Sequence, residues 1–222
     1  MLPIGDDNSA RRITPVVTYA LIALNVLVFF LELNNGEAFI ERWAFVPTRF
    51  LADPAGDFVT LFTSMFMHAG WAHLLGNMLY LWIFGDNVED RLGHGLYFVF
   101  YILCGLGATF AQLAFSMGSS IPNLGASGAI AGVLGAYLVM FPRGRVNVLL
   151  GRFVTPMSAV IVIGFWFLLQ VFSQISVFGA SSQSEGGVAY MAHIGGFVAG
   201  VVLAFLLGRG QRALPPASSY RS

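Results

Sequence analysis

The chain has 222 residues, of which 57% are hydrophobic and only 10% charged; its formal net charge is zero and its mean hydropathy is +0.75. A soluble domain carries roughly 25% charged residues, so this deficit excludes an ordinary soluble protein, and nothing in the balanced charge points to nucleic acid. The single cysteine, Cys104, excludes an internal disulfide and reads as a small buried hydrophobe.

A polar segment, residues 1–13, precedes the first apolar run at 14–33. That run is too long for a secretory signal core and lacks a small-residue cleavage site, so it is expected to be retained as an anchor. Arg11-Arg12 is followed by Ile-Thr-Pro, a poor fit to a twin-arginine signal. Further apolar runs lie at 60–84, 96–117, 153–178 and 188–207, with a shorter one at 127–141. Crossing roughly 30 Å of hydrocarbon takes about 20 residues. The pattern predicts an all-α membrane protein, a compact six-span bundle over 14–208 with a short central fourth helix. The stretch 34–59 mixes charges with Trp43, Phe45, Phe50 and Leu51, which suits a segment lying in the membrane interface. The tail 209–222 has the composition of a disordered end. No linker divides the chain and no internal repeat is evident.

Orientation follows from arginine, because the chain has no lysine. With the N-terminus inside, the inner segments hold Arg11, Arg12, Arg91, Arg143, Arg145, Arg152, Arg209, Arg212 and Arg221, and the outer segments only Arg42 and Arg49. The positive-inside rule then makes both termini cytoplasmic, and spans two, four and six run from outside to inside.

Counting back along those three spans places polar residues in one layer. From Ser127 to the breaker Pro142, and from His193 to Gly208, the separation is 15 residues, or about 22 Å at a rise of 1.5 Å per residue. Both side chains should therefore lie about 8 Å inside the outer hydrocarbon boundary. His73 and Asn77, one turn apart on one face, fall about 18 and 12 Å above the inner boundary. Polar groups at such depth are costly without partners, so they should surround a small wet cavity opening outward. Gly128 and Gly132, and likewise Gly196 and Gly200, are four apart and let helix backbones approach closely.

A serine hydroxyl becomes a nucleophile when a base within hydrogen-bond reach takes its proton, and His193 is the natural base for Ser127. Glu32, Asp86 and Glu185 sit at span ends or in loops, so no carboxylate is placed to orient the imidazole and a dyad is expected. The Ser127 backbone N–H at a helix start, with side-chain N–H groups of His73 and Asn77, could hold a developing oxyanion. Gly125 and Gly128 leave room for a substrate backbone. His68 is off the His73 face; His94, beside Arg91 and Gly93, reads as interfacial.

At these residues the chain closely resembles the rhomboid intramembrane serine proteases. The matching pieces are His68-Ala-Gly-Trp-Ala-His73-Leu-Leu-Gly-Asn77, Gly125-Ala-Ser127-Gly128 and Ala192-His193-Ile-Gly-Gly196-Phe-Val-Ala-Gly200. The resemblance covers nearly all six predicted spans. It implies Ser127 as nucleophile, His193 as base, and His73 and Asn77 as oxyanion donors, in a six-helix bundle that cuts single-span membrane proteins without metal or ATP. Glu89 and Arg91 resemble a family loop motif and read as a structural tie. Two departures stand out. The aromatic that often packs on the base is replaced by Ala131, with Phe197, Tyr190 or Phe165 as substitutes. The Trp-Arg pair of the first outer loop reads Arg42-Trp43 here, and no role is assigned to it.

Other intramembrane chemistries lack their residues: there is no His-Glu-x-x-His for zinc and no pair of aspartates within spans. A non-catalytic relative would have lost the serine or the histidine. A channel would need the polar layer to continue toward the cytoplasm. With a short N-terminus and no transit peptide, a multi-pass protein of a prokaryotic plasma membrane is expected, acting on transmembrane protein substrates with no cofactor. Oligomeric state is not legible.

Overall fold

The computed structural model describes residues 2–9, 11–179 and 189–208; the expected disordered tail 209–222, Glu185 and three of the arginines counted above lie outside them. Helices dominate. Strand β1 (Leu2–Asp6) precedes α1 (Val16–Asn35), and short helices α2 (Glu37–Trp43), α3 (Pro47–Ala52) and α4 (Thr60–Thr63) follow. The long helices α5 (Trp71–Leu92) and α6 (His94–Phe115) lead to the shorter α7 (Ser127–Met140). A hairpin of β2 (Arg145–Leu150) and β3 (Phe153–Ser158) then connects to α8 (Ala159–Gly179) and α9 (Tyr190–Gly208).

Among the described residues, three helices are long and apolar enough to cross a membrane: 16–35, 94–115 and 190–207, with mean hydropathies of 2.2, 1.8 and 2.0. Their outward faces carry bare apolar side chains such as Leu27, Phe110 and Leu206, each about half exposed. A soluble monomer seldom shows so continuous an apolar surface, and the chain is a multi-pass membrane protein.

The centre of the bundle is α7. Its residues Gly128 to Tyr137 are all buried, as a helix apolar on every side must be. It packs against α9, α6 and α5. Glycine makes the α7–α9 contact possible: a Cβ on Gly196 would lie 2.0 Å from the Gly128 carbonyl oxygen, and one on Gly200 2.0 Å from that of Gly132. The rising register of these pairs means that α7 and α9 run parallel. The α5 helix is parallel as well, with His73 beside Gly125 at one end and the Phe84 ring 5.0 Å from that of Tyr137 at the other.

Two apolar runs resolve differently from expectation. The run 60–84 is broken, with α4 and a 3-10 turn over 60–66 before a new helix starts at Trp71. The His68 N–H donates to both carboxylate oxygens of Glu32 at 3.1 Å, which pins the break against α1. The new helix then runs past the apolar stretch and takes in Asp86, Glu89 and Arg91, ending at Gly93 with φ +78°. Glu89, fully buried, accepts hydrogen bonds from the Val17 and Thr18 N–H groups and the Thr18 hydroxyl, and lies 2.6 Å from His94 Nδ1. It is the tie expected of it, and it also takes up the open N–H groups at the start of α1.

The run 153–178 also divides, its first six residues forming β3, so the fold is not wholly α. A three-stranded antiparallel sheet, ordered β1-β2-β3, caps the end of the bundle remote from Ser127. Val146 and Val148 of β2 alternate inward with period two. The two-residue link Gly151-Arg152 has glycine first at φ +60°, as tight hairpins favour. Asp6 at the end of β1 accepts hydrogen bonds from the Tyr137 hydroxyl at 2.8 Å and the Asn87 amide at 2.7 Å. Burial, with Asp86 nearby, pushes the Asp6 carboxyl up to about 7.

Candidate active site

Ser127 is the first residue of α7 and His193 lies in the first turn of α9. Parallel packing through the glycines brings them together: Ser127 Oγ lies 2.8 Å from His193 Nε2. The start of α9 is fixed by the Ala192 N–H, which donates to Gln112 Oε1 of α6 at 3.2 Å. The approach to Ser127 is fixed by the Gly125 N–H, which donates to the Ser64 carbonyl at 2.9 Å.

His73 reaches the same point from α5. Its Nδ1 accepts from the Ala69 N–H at 3.4 Å, which leaves Nε2 as the nitrogen bearing hydrogen. A Cβ on Gly125 would lie 2.9 Å from His73 Cε1, 3.1 Å from Nε2 and 3.4 Å from Ser127 Oγ. Gly125 also has φ +137°, so glycine is required twice over, for backbone conformation and for space. Asn77, one turn beyond His73, is buried with no hydrogen-bond partner on its side-chain nitrogen. Gly128 also packs closely: a Cβ there would lie 2.5 Å from that of Ala108, so the residue closes α7 onto α6.

A cavity of about 550 Å³ joins these groups and is lined by His73, Asn77, Ser127, Trp166 and His193 among others. His68 sits just outside it, buried, with its ring 5.1 Å from that of His73. No group of three or more metal-ligating side chains occurs among the described residues.

The sequence reading missed two residues, both on α8. Gln170 Oε1 lies 2.8 Å from His193 Nδ1, and the Trp166 ring centroid is 5.8 Å from that of His193 at an interplanar angle of 40°. Of the aromatics expected to replace the one missing at Ala131, Phe197 instead stacks on Phe167 at 4.3 Å, and Phe165 is half exposed. A signal for Gln170 existed: it is the first polar side chain after eleven apolar or glycine residues of α8, and a polar group inside an apolar span is a functional candidate.

Buried parallel helices in an apolar-surfaced bundle, with a serine and a histidine in hydrogen-bond contact at their starts, define a polytopic membrane protein with a polar pair inside it. The Rhomboid domain family matches residues 55–210, and the chain belongs to the rhomboid family. It is 34% identical over 208 residues to Rhomboid protease GluP of Bacillus subtilis (strain 168), covering 93% of this chain and 36% of that protein. It is 27% identical over 198 residues to Rhomboid protein 1, mitochondrial, of Saccharomyces cerevisiae, covering 87% and 54%. Over 192 residues it is 29% identical to Rhomboid protease GlpG of Klebsiella pneumoniae, covering 85% and 62%. The chain thus spans between about a third and two thirds of the length of these relatives.

Proposed function

We propose that this chain is an intramembrane serine endopeptidase that hydrolyses peptide bonds in or near the transmembrane segments of membrane proteins. The observation that carries this reading is the 2.8 Å contact between Ser127 Oγ and His193 Nε2 at the wall of a cavity. The relatives GluP and GlpG, each a rhomboid protease by name, point the same way.

In this reading His193 Nε2 takes the hydroxyl proton as Ser127 Oγ attacks the scissile carbonyl carbon. Negative charge then develops on the carbonyl oxygen. The Ser127 backbone N–H at the start of α7, His73 Nε2–H and the Asn77 amide are its donors. Gly125 keeps the space between His73 and Ser127 open. His193 returns its proton to the leaving amine, and an acyl group remains on Ser127. Water entering the cavity gives a proton to His193 and attacks the acyl carbon, which releases the second product and restores the hydroxyl.

The reading includes six membrane spans, α1, α5, α6, α7, α8 and α9, with both termini cytoplasmic and the cavity opening to the opposite side. A bacterial plasma membrane is the setting favoured by the bacterial relatives GluP and GlpG. The test is cleavage of a single-span reporter by protein purified in detergent. Ser127→Ala and His193→Ala should each abolish it, and cleavage by Ser127→Ala at the parent rate would overturn the proposal.

A further inference from the structure

We propose that Gln170 is a positioning residue that completes the catalytic pair as a serine–histidine–glutamine relay. The inference rests on the protease reading above. A base at His193 must present an unprotonated Nε2 to Ser127, so the single ring hydrogen of the neutral imidazole has to sit on Nδ1. The group facing Nδ1 decides this. Gln170 meets it with its carboxamide oxygen at 2.8 Å, an acceptor that calls for Nδ1–H and leaves Nε2 free to accept from the Ser127 hydroxyl, also at 2.8 Å. An NH₂ group in that place would force the hydrogen onto Nε2 and disable the base.

The same oxygen acts a second time when His193 becomes a cation on taking the serine proton. The carbonyl dipole then faces a positive Nδ1–H, and a hydrogen bond to a charged partner is stronger than one between neutral groups. A carboxylate would stabilise that cation further, but an ionised group would have to be held in the apolar interior throughout the resting state. A neutral amide avoids that cost. Trp166, one turn before Gln170 on the same helix, covers the ring, while the residue one turn after Ser127 is Ala131, whose methyl can do little to fix an imidazole. Thus α8 supplies both the hydrogen bond and the packing that set the orientation of His193. The titratable group that bears on His193 from the other packed helices is His73 of α5.

The experiment compares Gln170→Leu and Gln170→Glu with the parent and Ser127→Ala. It measures kcat and KM on a single-span reporter, the rate of fluorophosphonate labelling, and the thermal midpoint. Gln170→Leu should lower kcat and the labelling rate by about 10- to 100-fold, the range for a hydrogen bond to a charged group, with KM changed less than about twofold. Gln170→Glu, which keeps an acceptor oxygen at the same reach, should recover most of the rate. Nitrogen NMR of ¹⁵N-histidine-labelled parent protein, with the His193 signals identified by their loss in His193→Ala, should show hydrogen on Nδ1. Hydrogen on Nε2 instead overturns the inference without recourse to any Gln170 variant. So does a folded Gln170→Leu with the parent kcat while Ser127→Ala is dead. If Ser127→Ala itself remains active, the protease reading fails first.

Discussion

Replacing Gly196 by alanine tests whether backbone contact between α7 and α9 sets the catalytic distance. The added Cβ would lie 2.0 Å from the Gly128 carbonyl oxygen and 2.9 Å from its carbon. A carbon normally keeps about 3.3 Å from a carbonyl oxygen, so the helices must part there by about 1.3 Å. Gly128 follows Ser127 directly and Gly196 is one turn beyond His193, so the displacement opens the site itself. The Ser127–His193 separation of 2.8 Å would stretch toward about 4 Å, beyond hydrogen-bond range. Overpacking should cost about 1–3 kcal/mol of stability, and a misplacement of about 1 Å about a hundredfold in rate. Reporter cleavage, fluorophosphonate labelling and thermal unfolding report the three quantities. Gly95→Ala, where nothing lies within 4 Å of the new methyl, should match the parent. A folded Gly196→Ala that labels and cleaves at the parent rate would refute the reasoning.

Gly125→Ala should abolish cleavage while leaving the protein folded, because its methyl would press on His73 and its φ of +137° is strained for alanine; a retained reporter rate would show that His73 is not held there. Glu89→Ala strips the start of α1 and His94 of a shared acceptor and should cost about 2–4 kcal/mol, read as a lowered thermal midpoint. The Asp6 carboxyl, raised by burial from 3.8 to about 7, holds a proton between those values that the unfolded chain has given up. Its contribution to stability is therefore fully present below about pH 4 and is lost as pH rises through about 7. Hydrogen exchange at the β1 amides should speed up accordingly between pH 5 and 8 beyond its intrinsic rise, and Asp6→Asn should flatten that excess.

The parts legible in sequence were those whose chemistry leaves few alternatives. A serine, two histidines and an asparagine in apolar helices need partners, and equal counts from Ser127 and His193 to their helix ends put them at one depth. The paired glycines marked the helix faces that meet. Residues 153–158 were not legible as a strand: Pro156 and Ser158 mark a break before α8, but only pairing with β2 shows that the residues before it are extended. The break at His68 depends on Glu32, 36 residues away, whose carboxylate takes the backbone N–H. Gln170 is not marked by the usual pattern of a carboxylate partner for the imidazole, because burial in a membrane favours a neutral acceptor.

The most direct measurement is to treat the protein with a fluorophosphonate in membranes and locate the adduct by peptide mass spectrometry. The account predicts a single modified serine, Ser127, with modification lost in Ser127→Ala and strongly slowed in His193→Ala. An adduct on another residue, or equal labelling of Ser127 with and without the His193 imidazole, would contradict it.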